Sequence, residues 1–434
     1  MPTPSEEGLI RGIRRWDLVA IVINAIIGAG VFGLPSRTYA LIGSYSIIAF
    51  FACAVVVALI ILCFAEVGSR FDATGGPYLY AREAFGATVG FEVGWLIWLA
   101  RITAFAANCN LMISYLGYFW RGATTPTWRT IIIIVFVSML ALINVVGVRQ
   151  SAIVSNCFAI GKLVPILIFI AVGMFFLNPH SFALDNTPAP AAFSQSVLLL
   201  VYAFTGFETA TVPAGEIRDP QRNLPRALLL AIAVVAVVYI LIQVVCVGTL
   251  PGLAQSTRPL ADSAALFLGT AGASIISAGA IISISGNLNI VLLGGSRLPF
   301  AMAEQNHLPA FMGTVHKRFA TPYVSIVLTS VVMLVLTLQT SFLAALTVST
   351  LARLITYAAT CAALPLYRRR KDAPPAAFRV PGGSFVAVLS LLLVVWLLAN
   401  STKQEAKAAA IAALVGLAIF FAYRLYRRFY SRAS

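Results

Sequence analysis

Long apolar runs separated by short polar loops make up almost the whole chain. A helix needs about 20 apolar residues to span the hydrocarbon core of a membrane. The pattern therefore predicts an all-α integral membrane protein with twelve transmembrane helices, near 16–36, 44–69, 87–119, 130–147, 152–177, 194–217, 225–250, 270–294, 321–339, 342–366, 384–401 and 408–424.

The first apolar run contains residues that weaken a helix. Positions 26–35 read Ile-Ile-Gly-Ala-Gly-Val-Phe-Gly-Leu-Pro. Each glycine in a helix interior costs about 1 kcal/mol relative to alanine, and backbone left unpaired in hydrocarbon must find other partners. A helix broken here would direct free N–H groups, at the positive end of its second half, toward an anion such as a carboxylate. The alternative is a close contact with another helix through small residues.

Positions 204–213, in the sixth run, repeat this feature as Phe-Thr-Gly-Phe-Glu-Thr-Ala-Thr-Val-Pro. The spacing from Gly206 to Pro213 equals the spacing from Gly28 to Pro35. The sixth predicted span comes five spans after the first, an odd number, so the two cross the membrane in opposite directions and the halves of the chain would be inverted relative to each other. This favours a secondary transporter built from an inverted repeat, with broken helices one and six and its site between the two breaks.

The predicted organisation follows from these spans. It consists of an N-terminal tail at 1–15, a first repeat at 16–177, a second repeat at 194–366, two additional helices at 384–424 and a C-terminal tail at 425–434. With the N-terminus in the cytoplasm, 21 of the 30 lysines and arginines fall in tails and inner loops, and six fall in outer loops. Because basic loops stay on the cytoplasmic side, both termini are predicted to be cytoplasmic, in a cytoplasmic (inner) membrane.

Composition excludes several other classes of protein. The chain is 60% hydrophobic and 10% charged, with a mean hydropathy of +0.92, which is more apolar surface than a soluble protein of this length covers. Its net charge of +15 is spread over short loops and forms no patch for nucleic acid. No G-x-x-x-x-G-K-[ST] loop is present for ATP, so the driving energy comes from gradients or from none. The six cysteines occur singly, without the spacing of metal ligands, and we expect neither a metal nor a cofactor.

Four of the charged residues inside predicted spans are candidates for function, because a charge near the bilayer centre costs at least ~2.5–3.5 kcal/mol. Glu208 follows the second break and is predicted to couple protons or to gate, with capping of unwound N–H groups as the alternative. Lys162 lies in span five among apolar neighbours, where a lysine can release its proton near neutral pH; alternatively it snorkels to the inner surface. Arg101 and Arg353 either pair with an acid or recognise an anionic part of the ligand.

Polar side chains alternate through span eight. Mid-membrane hydroxyls and amides either line a pathway or form hydrogen bonds between helices, and the sequence leaves both interpretations open for Ser283, Ser285, Asn287 and Asn289.

Several short motifs resemble those of the amino acid–polyamine–organocation transporters. They are Gly-Ala-Gly-Val-Phe at 28–32, Gly-Gly-Pro-Tyr at 75–78 leading to Ala-Phe-Gly at 84–86, Gly-Phe-Glu at 206–208, Arg-Asp-Pro at 218–220 and Asn-Leu-Pro at 223–225. The resemblance extends from about residue 12 to residue 370. It implies the five-plus-five fold with two extra helices, alternating access, and an amino acid or polyamine as the substrate.

The resemblance also implies roles for individual residues. Backbone N–H groups of span one would bind the substrate carboxylate, here at Ile27, Gly28, Ala29 and Gly30. Carbonyl groups of span six would bind the ammonium group, here at Tyr202, Ala203 and Thr205. Glu208 matches an acidic residue tied to gating or proton coupling. Lys162 matches a span-five lysine that stands where sodium-dependent relatives bind sodium, which argues against sodium coupling.

The predicted side-chain pocket departs from that of the arginine–agmatine exchanger branch, which has an asparagine and two tryptophans around the guanidinium. Ungapped alignment places Phe105, Tyr202 and Val291 at these positions. Arg101 lies one turn from Phe105 and would repel a cationic side chain. Neutral, bulky apolar amino acids are therefore favoured.

The leading hypothesis is a proton-coupled, sodium-independent amino acid permease, as a monomer or homodimer, whose partners are its substrate, protons and membrane lipids. An exchanger of an amino acid, for instance against its decarboxylated amine, is the second hypothesis. A non-transporting sensor fits less well because the predicted tails are short. A membrane enzyme is not indicated, because the spans show neither metal-spaced carboxylates nor a nucleophile–base pair.

Overall fold

The computed structural model describes residues 13–72, 75–146, 152–184, 187–212, 214, 217–305, 307–319 and 321–430, with side chains for all of these except 152–161 and 427–430. Pro213, which ends the second predicted break, lies outside the described residues, as do residues 1–12 and 431–434 of the predicted tails.

Within these ranges the chain is almost entirely helical. The α-helices are α1 (Arg15–Ile26), α2 (Gly30–Ile42), α3 (Ser46–Gly68), α4 (Gly76–Phe85), α5 (Ala87–Phe119), α6 (Pro126–Val146), α7 (Ala152–Gly173), α8 (Pro190–Ala203), α9 (Pro220–Thr249), α10 (Pro259–Glu304), α11 (Tyr323–Gln339), α12 (Phe342–Arg369), α13 (Gly383–Ala399) and α14 (Lys403–Tyr430). Short 3-10 turns join several of them. The described residues form no β-strand, although Ile13 and Ile217 make an isolated parallel bridge.

Many of these helices have the length and composition of membrane spans. In the described chain, seven helical stretches are long and apolar enough to cross a bilayer: Gly30–Gly68, Ala87–Phe119, Pro126–Val146, Pro220–Thr249, Pro259–Glu304, Phe342–Arg369 and Lys403–Tyr426. Shorter apolar helices occur at Lys162–Phe176, Pro190–Ala203, Tyr323–Gln339 and Gly383–Ala399. Every predicted span overlaps at least one of the helices, whereas the count of twelve and the repeat arrangement stay predictions.

Three local features differ from a simple series of spans. The predicted first span corresponds to two helices, and Pro35 lies inside the second of them without ending it. The longest helix, α10, bends at Gly269, which has φ +64° and ψ −161°; glycine adopts such a conformation without the strain that other residues suffer. The polar loop after the second span contains α4, whose N-terminal Pro77 cannot donate a backbone hydrogen bond and is suited to a first helical turn.

The helices form two compact units, and the first unit comprises Met1–Val93, Ala183–Val244 and Arg353–Thr402. In it, α2 packs against α8, and α3 packs against α8 and α13. Phe64, Phe207 and Tyr357 lie in mutual ring contact at its centre, with centroid distances of 5.1–5.4 Å. Both predicted repeats contribute helices to this unit, so the units and the predicted repeats are different divisions of the chain.

Glu66, near the end of α3, forms hydrogen bonds with Arg368 of α12 and with the loop between α12 and α13, all within the first unit. Its carboxylate accepts hydrogen bonds from Arg368 Nε (2.7 Å), Arg368 Nη2 (2.5 Å) and Val380 N (2.8 Å). Arg70, one turn further along, donates to Pro374 O (2.8 Å). Because Glu66 is fully buried, these donors supply the compensation that a buried charge requires.

The second unit comprises Gly94–Phe182, Val245–Ala352 and Lys403–Ser434. Here α10 packs against α7 and α11, and α11 packs against α6. Arg129 stabilises the end of α11, since its Nη2 donates to Thr337 O (3.0 Å) and to Asn110 Oδ1 (2.6 Å). A cation at the C-terminus of a helix is favoured by the helix dipole.

Candidate functional site

The first helix break lies between α1 and α2. The chain is helical up to Ile26 and again from Gly30, and it is non-helical in between. Gly28 N donates to Ile26 O (2.7 Å) and closes the end of α1. Ile27 N donates to Ile23 O (2.9 Å) and Phe32 N donates to Ala29 O (3.0 Å). The first turn of α2 directs its N–H groups toward the break, as the start of any helix does. The break therefore presents the positive end of a helix in a buried place, since residues 27–30 are all buried.

The second helix break follows α8. This helix ends at Ala203, Gly206 has φ +113°, and the chain resumes as a 3-10 helix, Phe207–Thr211. The positive φ requires glycine, because a side chain would be strained there. Thr205 donates to Tyr202 O through both its N–H (3.2 Å) and its hydroxyl (2.8 Å). The break thus presents the carbonyl end of a helix.

The two breaks contact each other through their backbones. A Cβ atom added at Gly30 would lie 2.8 Å from Ala203 Cα, and one added at Gly206 would overlap the carbonyl group of Ala25. The start of α2 therefore packs against the end of α8, and the bend after α8 packs against the end of α1. These close approaches explain why both stretches carry glycine.

Tyr239 of α9 joins the same region. Its hydroxyl donates to Ile26 O (3.0 Å) and to Ala203 O (3.1 Å), the carbonyl groups of the last residues of α1 and α8. Its ring packs edge-on against Phe204, with centroids 5.1 Å apart. The carbonyl ends of both interrupted helices consequently share one donor.

Glu208 forms a buried ion pair with Arg353 of α12. Glu208 Oε1 accepts from Arg353 Nη1, and Oε2 accepts from Gly206 N (2.9 Å) and from the Tyr357 hydroxyl (2.8 Å). The two charged residues are only 5% and 7% exposed. Glu208 therefore caps the unwound backbone, and Arg353 pairs with an acid. Both arrangements are among the alternatives that the sequence left open for these residues.

The Gly-Gly-Pro-Tyr motif packs against the end of the second break. Gly75 N donates to Val212 O (3.1 Å), and Gly75 and Gly76 have φ of +149° and +55°. A Cβ atom at Gly76 would lie 2.8 Å from Thr211 Oγ1. Both glycines are needed because the backbone turns tightly where it meets the 3-10 segment.

The remaining predicted site residues belong to the second unit. Phe105 on α5 is fully buried, Val291 on α10 is half-buried, and Lys162 on α7 is 4% exposed. Arg101 packs along α10, where a Cβ atom at Gly294 would overlap its Nη1. The first unit therefore brings together the residues predicted to bind the two charged ends of the substrate, together with Glu208 and Arg353. Phe105, Val291, Arg101 and Lys162 lie in the other unit.

The polar side chains of span eight mostly form hydrogen bonds to neighbouring helices. Asn108 Nδ2 donates to Asn287 Oδ1 (2.8 Å), and Asn144 Nδ2 donates to Asn289 Oδ1 (2.9 Å). Ser285 Oγ lies 3.5 Å from the sulfur of Met112. For Asn287 and Asn289, the structure therefore has the second of the two predicted arrangements, hydrogen bonds between helices.

Sequence reasoning missed two residues of this region, Tyr239 and Tyr357. The signal for Tyr357 was present, because it follows Arg353 by four residues and so lies on the same helix face. The signal for Tyr239 was weaker: it is a lone hydroxyl in the long apolar run of α9. Neither spacing nor composition identified the carbonyl groups that it binds.

A helical chain with several bilayer-length apolar helices and two interrupted helices that meet backbone to backbone has the form of a membrane transporter. The family model for amino acid permeases matches residues 13–420. The chain belongs to this amino acid permease family, within the amino acid–polyamine–organocation superfamily, and is a multi-pass membrane transporter of amino acids, not an enzyme.

Curated relatives extend over nearly the same length. The serine/threonine exchanger SteT of Bacillus subtilis is 28% identical over 424 residues, which cover 95% of this chain and 96% of that protein. The branched-chain amino acid permease BcaP of the same organism is 25% identical and covers 97% of this chain and 94% of its own length. A methylthioribose transporter, also from B. subtilis, is 28% identical, with 96% of this chain and 94% of that protein covered.

Proposed function

We propose that this protein is a secondary active permease that moves neutral amino acids across the cytoplasmic membrane by alternating access, coupled to protons and independent of sodium. The observation that carries the proposal is the mutual contact of two interrupted helices, one presenting N–H groups and the other presenting carbonyl groups. A free amino acid has opposite charges at its two ends. An exposed helix N-terminus suits its carboxylate, and an exposed helix C-terminus suits its ammonium group.

In this proposal the substrate carboxylate binds at residues 27–30 and the ammonium group binds at the carbonyl groups of Tyr202, Ala203 and Thr205. Tyr202 and Ala203 already accept hydrogen bonds from Thr205 and Tyr239. A carbonyl oxygen has two lone pairs, so Ala203 O retains capacity for a second donor. Tyr202 O accepts both the N–H and the hydroxyl of Thr205, and one of these would have to give way to the ammonium group. The proposed architecture is the five-plus-five inverted repeat of twelve spans, with both termini in the cytoplasm, as a monomer or homodimer.

Lys162 is the proposed proton carrier. Glu208 was the other candidate, but its two oxygens already bind Arg353, Tyr357 and Gly206 N, and protonation would leave the buried Arg353 cation without its counter-charge. Lys162 is buried in an apolar helix, and an ammonium group, unlike a guanidinium, can give up its proton. We therefore assign Glu208 to holding the second break and Lys162 to coupling.

A neutral substrate is supported by Phe105 and Val291, which are apolar, and by the positive charge of Arg101. Two relatives are named for serine/threonine and for branched-chain amino acids, and these amino acids have neutral side chains. Obligate exchange is the second candidate function, and it is favoured by the relative that is named an exchanger.

The test is uptake into proteoliposomes that contain the purified protein. Labelled leucine, serine and arginine are compared in sodium-free buffer, with and without an inward proton gradient, in empty and in amino-acid-loaded vesicles. The proposal expects gradient-driven accumulation of a neutral amino acid in empty vesicles. Uptake that requires sodium, or that occurs only in loaded vesicles, would overturn the proton-coupled assignment, and the latter result would establish exchange.

A further inference from the structure

The connection between α12 and α13 is strongly basic. Residues 368–382, here called the basic loop, hold five lysines and arginines and one carboxylate, Asp372, and four of the cations follow one another at 368–371. The basic loop joins two apolar helices, since Phe342–Arg369 has the length and composition of a membrane span and Gly383–Ala399 is a shorter apolar helix. A basic segment directly after a membrane helix lies beside the phospholipid headgroups, and anionic headgroups attract it.

Hydrogen bonds within the first unit hold the basic loop in a defined shape. Arg368 Nη2 donates to Val380 O (2.7 Å) and so joins the two ends of the loop. Arg370 Nη1 donates to Glu83 O (2.9 Å), and its Nη2 donates to Ala84 O (2.9 Å), both in the last turn of α4. The other side chains of the loop therefore extend from a backbone that is held in place.

The basic loop and the end of α3 together hold more positive charge than the nearby carboxylate compensates. The Glu66 carboxylate binds Arg368 (2.5 Å) and lies 3.4 Å from Arg70. Burial lowers the pKa of the Arg70 guanidinium, Glu66 raises it, and the charges of Arg379 and Arg368 lower it. Arg379 is thus close enough to repel the guanidinium groups around Glu66. Three cations share one carboxylate, so an additional anion would be stabilised here.

Three cations of the basic loop are placed to bind such an anion. Arg369, Lys371 and Arg379 are exposed, and within the part of the chain that the structure describes none of them forms an ion pair. Arginine and lysine form short, charge-assisted hydrogen bonds with phosphate oxygens. The chemistry of the loop therefore suits a phosphate group.

An exposed apolar face of α13 begins six residues after Arg379. Phe385, Val388 and Leu392 are 72%, 51% and 62% exposed, and their spacing of three and four residues places them on one side of the helix. A soluble phosphate ion would contact only the cations. A phospholipid would place its phosphate at the basic loop and an acyl chain along this face of α13, so the apolar face favours a lipid over a free ion.

We propose that the basic loop and the exposed face of α13 form a binding site for an anionic phospholipid, with the phosphate at Arg369, Lys371 and Arg379. The site is separate from the two helix breaks and does not rest on the proposed transport function. A lipid bound there stabilises the connection between α12 and α13.

The first test measures the affinity of the detergent-solubilised protein for fluorescently labelled phosphatidylglycerol. The triple variant Arg369→Gln/Lys371→Gln/Arg379→Gln removes the three exposed cations and keeps the hydrogen-bonded Arg368 and Arg370. Each basic residue near a membrane surface is worth about fivefold in affinity for anionic lipid, so we expect the Kd to rise about a hundredfold. A Kd that stays within about twofold of the unsubstituted protein would overturn the proposal.

Arg218→Gln/Arg222→Gln/Arg226→Gln is the matched control. These three arginines are also exposed, belong to the first unit and lie at the start of α9, so the variant loses the same charge elsewhere. Its Kd for phosphatidylglycerol should stay within about threefold of the unsubstituted protein. If the two triple variants lose affinity equally, the lipid responds to net charge alone and the assigned site is wrong.

A second measurement uses the unsubstituted protein and decides the question even if a triple variant fails to fold. Addition of phosphatidylglycerol to phosphatidylcholine nanodiscs should slow backbone hydrogen exchange at 369–382 and leave exchange at 218–226 unchanged. Unchanged exchange at 369–382 would overturn the proposal. The same slowing with inorganic phosphate in phosphatidylcholine nanodiscs would also overturn it, because the loop would then bind a free ion and not a lipid.

Discussion

The break between α1 and α2 contains no ionisable side chain, whereas the break after α8 is followed by a carboxylate, a guanidinium and a phenol that bond to one another. At the first break, Gly28 N donates a hydrogen bond to Ile26 O, and the backbone becomes helical again at Gly30. At the second, Glu208 binds the exposed Gly206 N–H itself. The second break is thus closed by the side chains around it, whereas the first is closed by backbone hydrogen bonds, with Ile27 N donating to Ile23 O (2.9 Å) and Gly28 N donating to Ile26 O (2.7 Å).

This difference gives the site its polarity. An anionic ligand group would meet repulsion from Glu208 at the second break, even though Arg353 offsets that charge. At the first break, residues 27–29 carry no ionisable side chain. The two breaks are therefore not interchangeable, and under the proposed function a substrate with one negative and one positive end would bind in a single orientation.

The largest expected effect comes from breaking the buried ion pair. Glu208→Gln or Arg353→Gln should each destabilise the protein by about 3–5 kcal/mol and abolish uptake, because each leaves one buried charge uncompensated. Thermal unfolding and uptake measure the effect. The double variant should recover part of the stability lost by either single variant.

Glu83→Gln is the control for that experiment. Arg82 and Glu83 form an ion pair whose side chains are 38% and 46% exposed, and exposed pairs contribute about 0–1 kcal/mol. If Glu83→Gln is as damaging as Glu208→Gln, or if the double variant is no better than the singles, the buried pair does not hold the second break.

The glycines at the two breaks should differ in their sensitivity. Gly206→Ala introduces both a strained φ and an overlap with Ala25, and should cost roughly 2–4 kcal/mol. Gly30→Ala introduces only the contact with Ala203 and should cost roughly 1–3 kcal/mol. Chemical or thermal unfolding of both variants measures the difference.

Alanine substitutions at Gly43 and Gly252 distinguish the cost of a strained φ from the cost of a steric overlap. Gly43 has φ +57° with open space around the missing Cβ, and Gly252 has open space without a positive φ. Gly43→Ala should therefore show the cost of φ alone, and Gly252→Ala should be nearly neutral. Equal losses at Gly30 and Gly252 would contradict the backbone contact between the breaks.

Removal of Lys162 should affect coupling more than binding. Lys162→Met preserves the apolar stem and removes the ionisable group, so gradient-driven accumulation should fall at least tenfold while the Kd for the amino acid changes less than about threefold. Proteoliposome uptake and isothermal calorimetry measure the two quantities. Full proton-driven accumulation in Lys162→Met would return the coupling role to Glu208.

The smallest effect is expected at Thr205. Thr205→Val removes the hydroxyl that donates to Tyr202 O at 2.8 Å and keeps the shape of the side chain. Since Thr205 N also donates to this carbonyl group, the loss should be about 0.5–1 kcal/mol, or a two- to fivefold change in Kd. A larger loss would mean that the hydroxyl itself contacts the substrate.

The sequence predicted where the helices break, because glycine in an apolar run has a physical penalty that only a special conformation or contact explains. It did not predict that Pro35 stays inside α2, where its missing N–H removes the hydrogen bond that position 35 would make to Val31 O. It predicted that Arg353 either pairs with an acid or recognises an anionic part of the ligand, and it did not decide between the two. The role of Tyr239 could not be predicted from the sequence, because its acceptors lie 213 and 36 residues away and only tertiary packing brings them together.

The bridge between Ile13 and Ile217 ties the leading segment of the chain to the residues that follow the second break, with Arg218 N donating to Ile13 O at 3.0 Å. A fluorophore attached just ahead of Ile13 would therefore be mechanically connected to the bend after α8. Such a label offers a real-time optical readout of that bend during turnover, and a rigid fusion partner joined at the same point would restrain it.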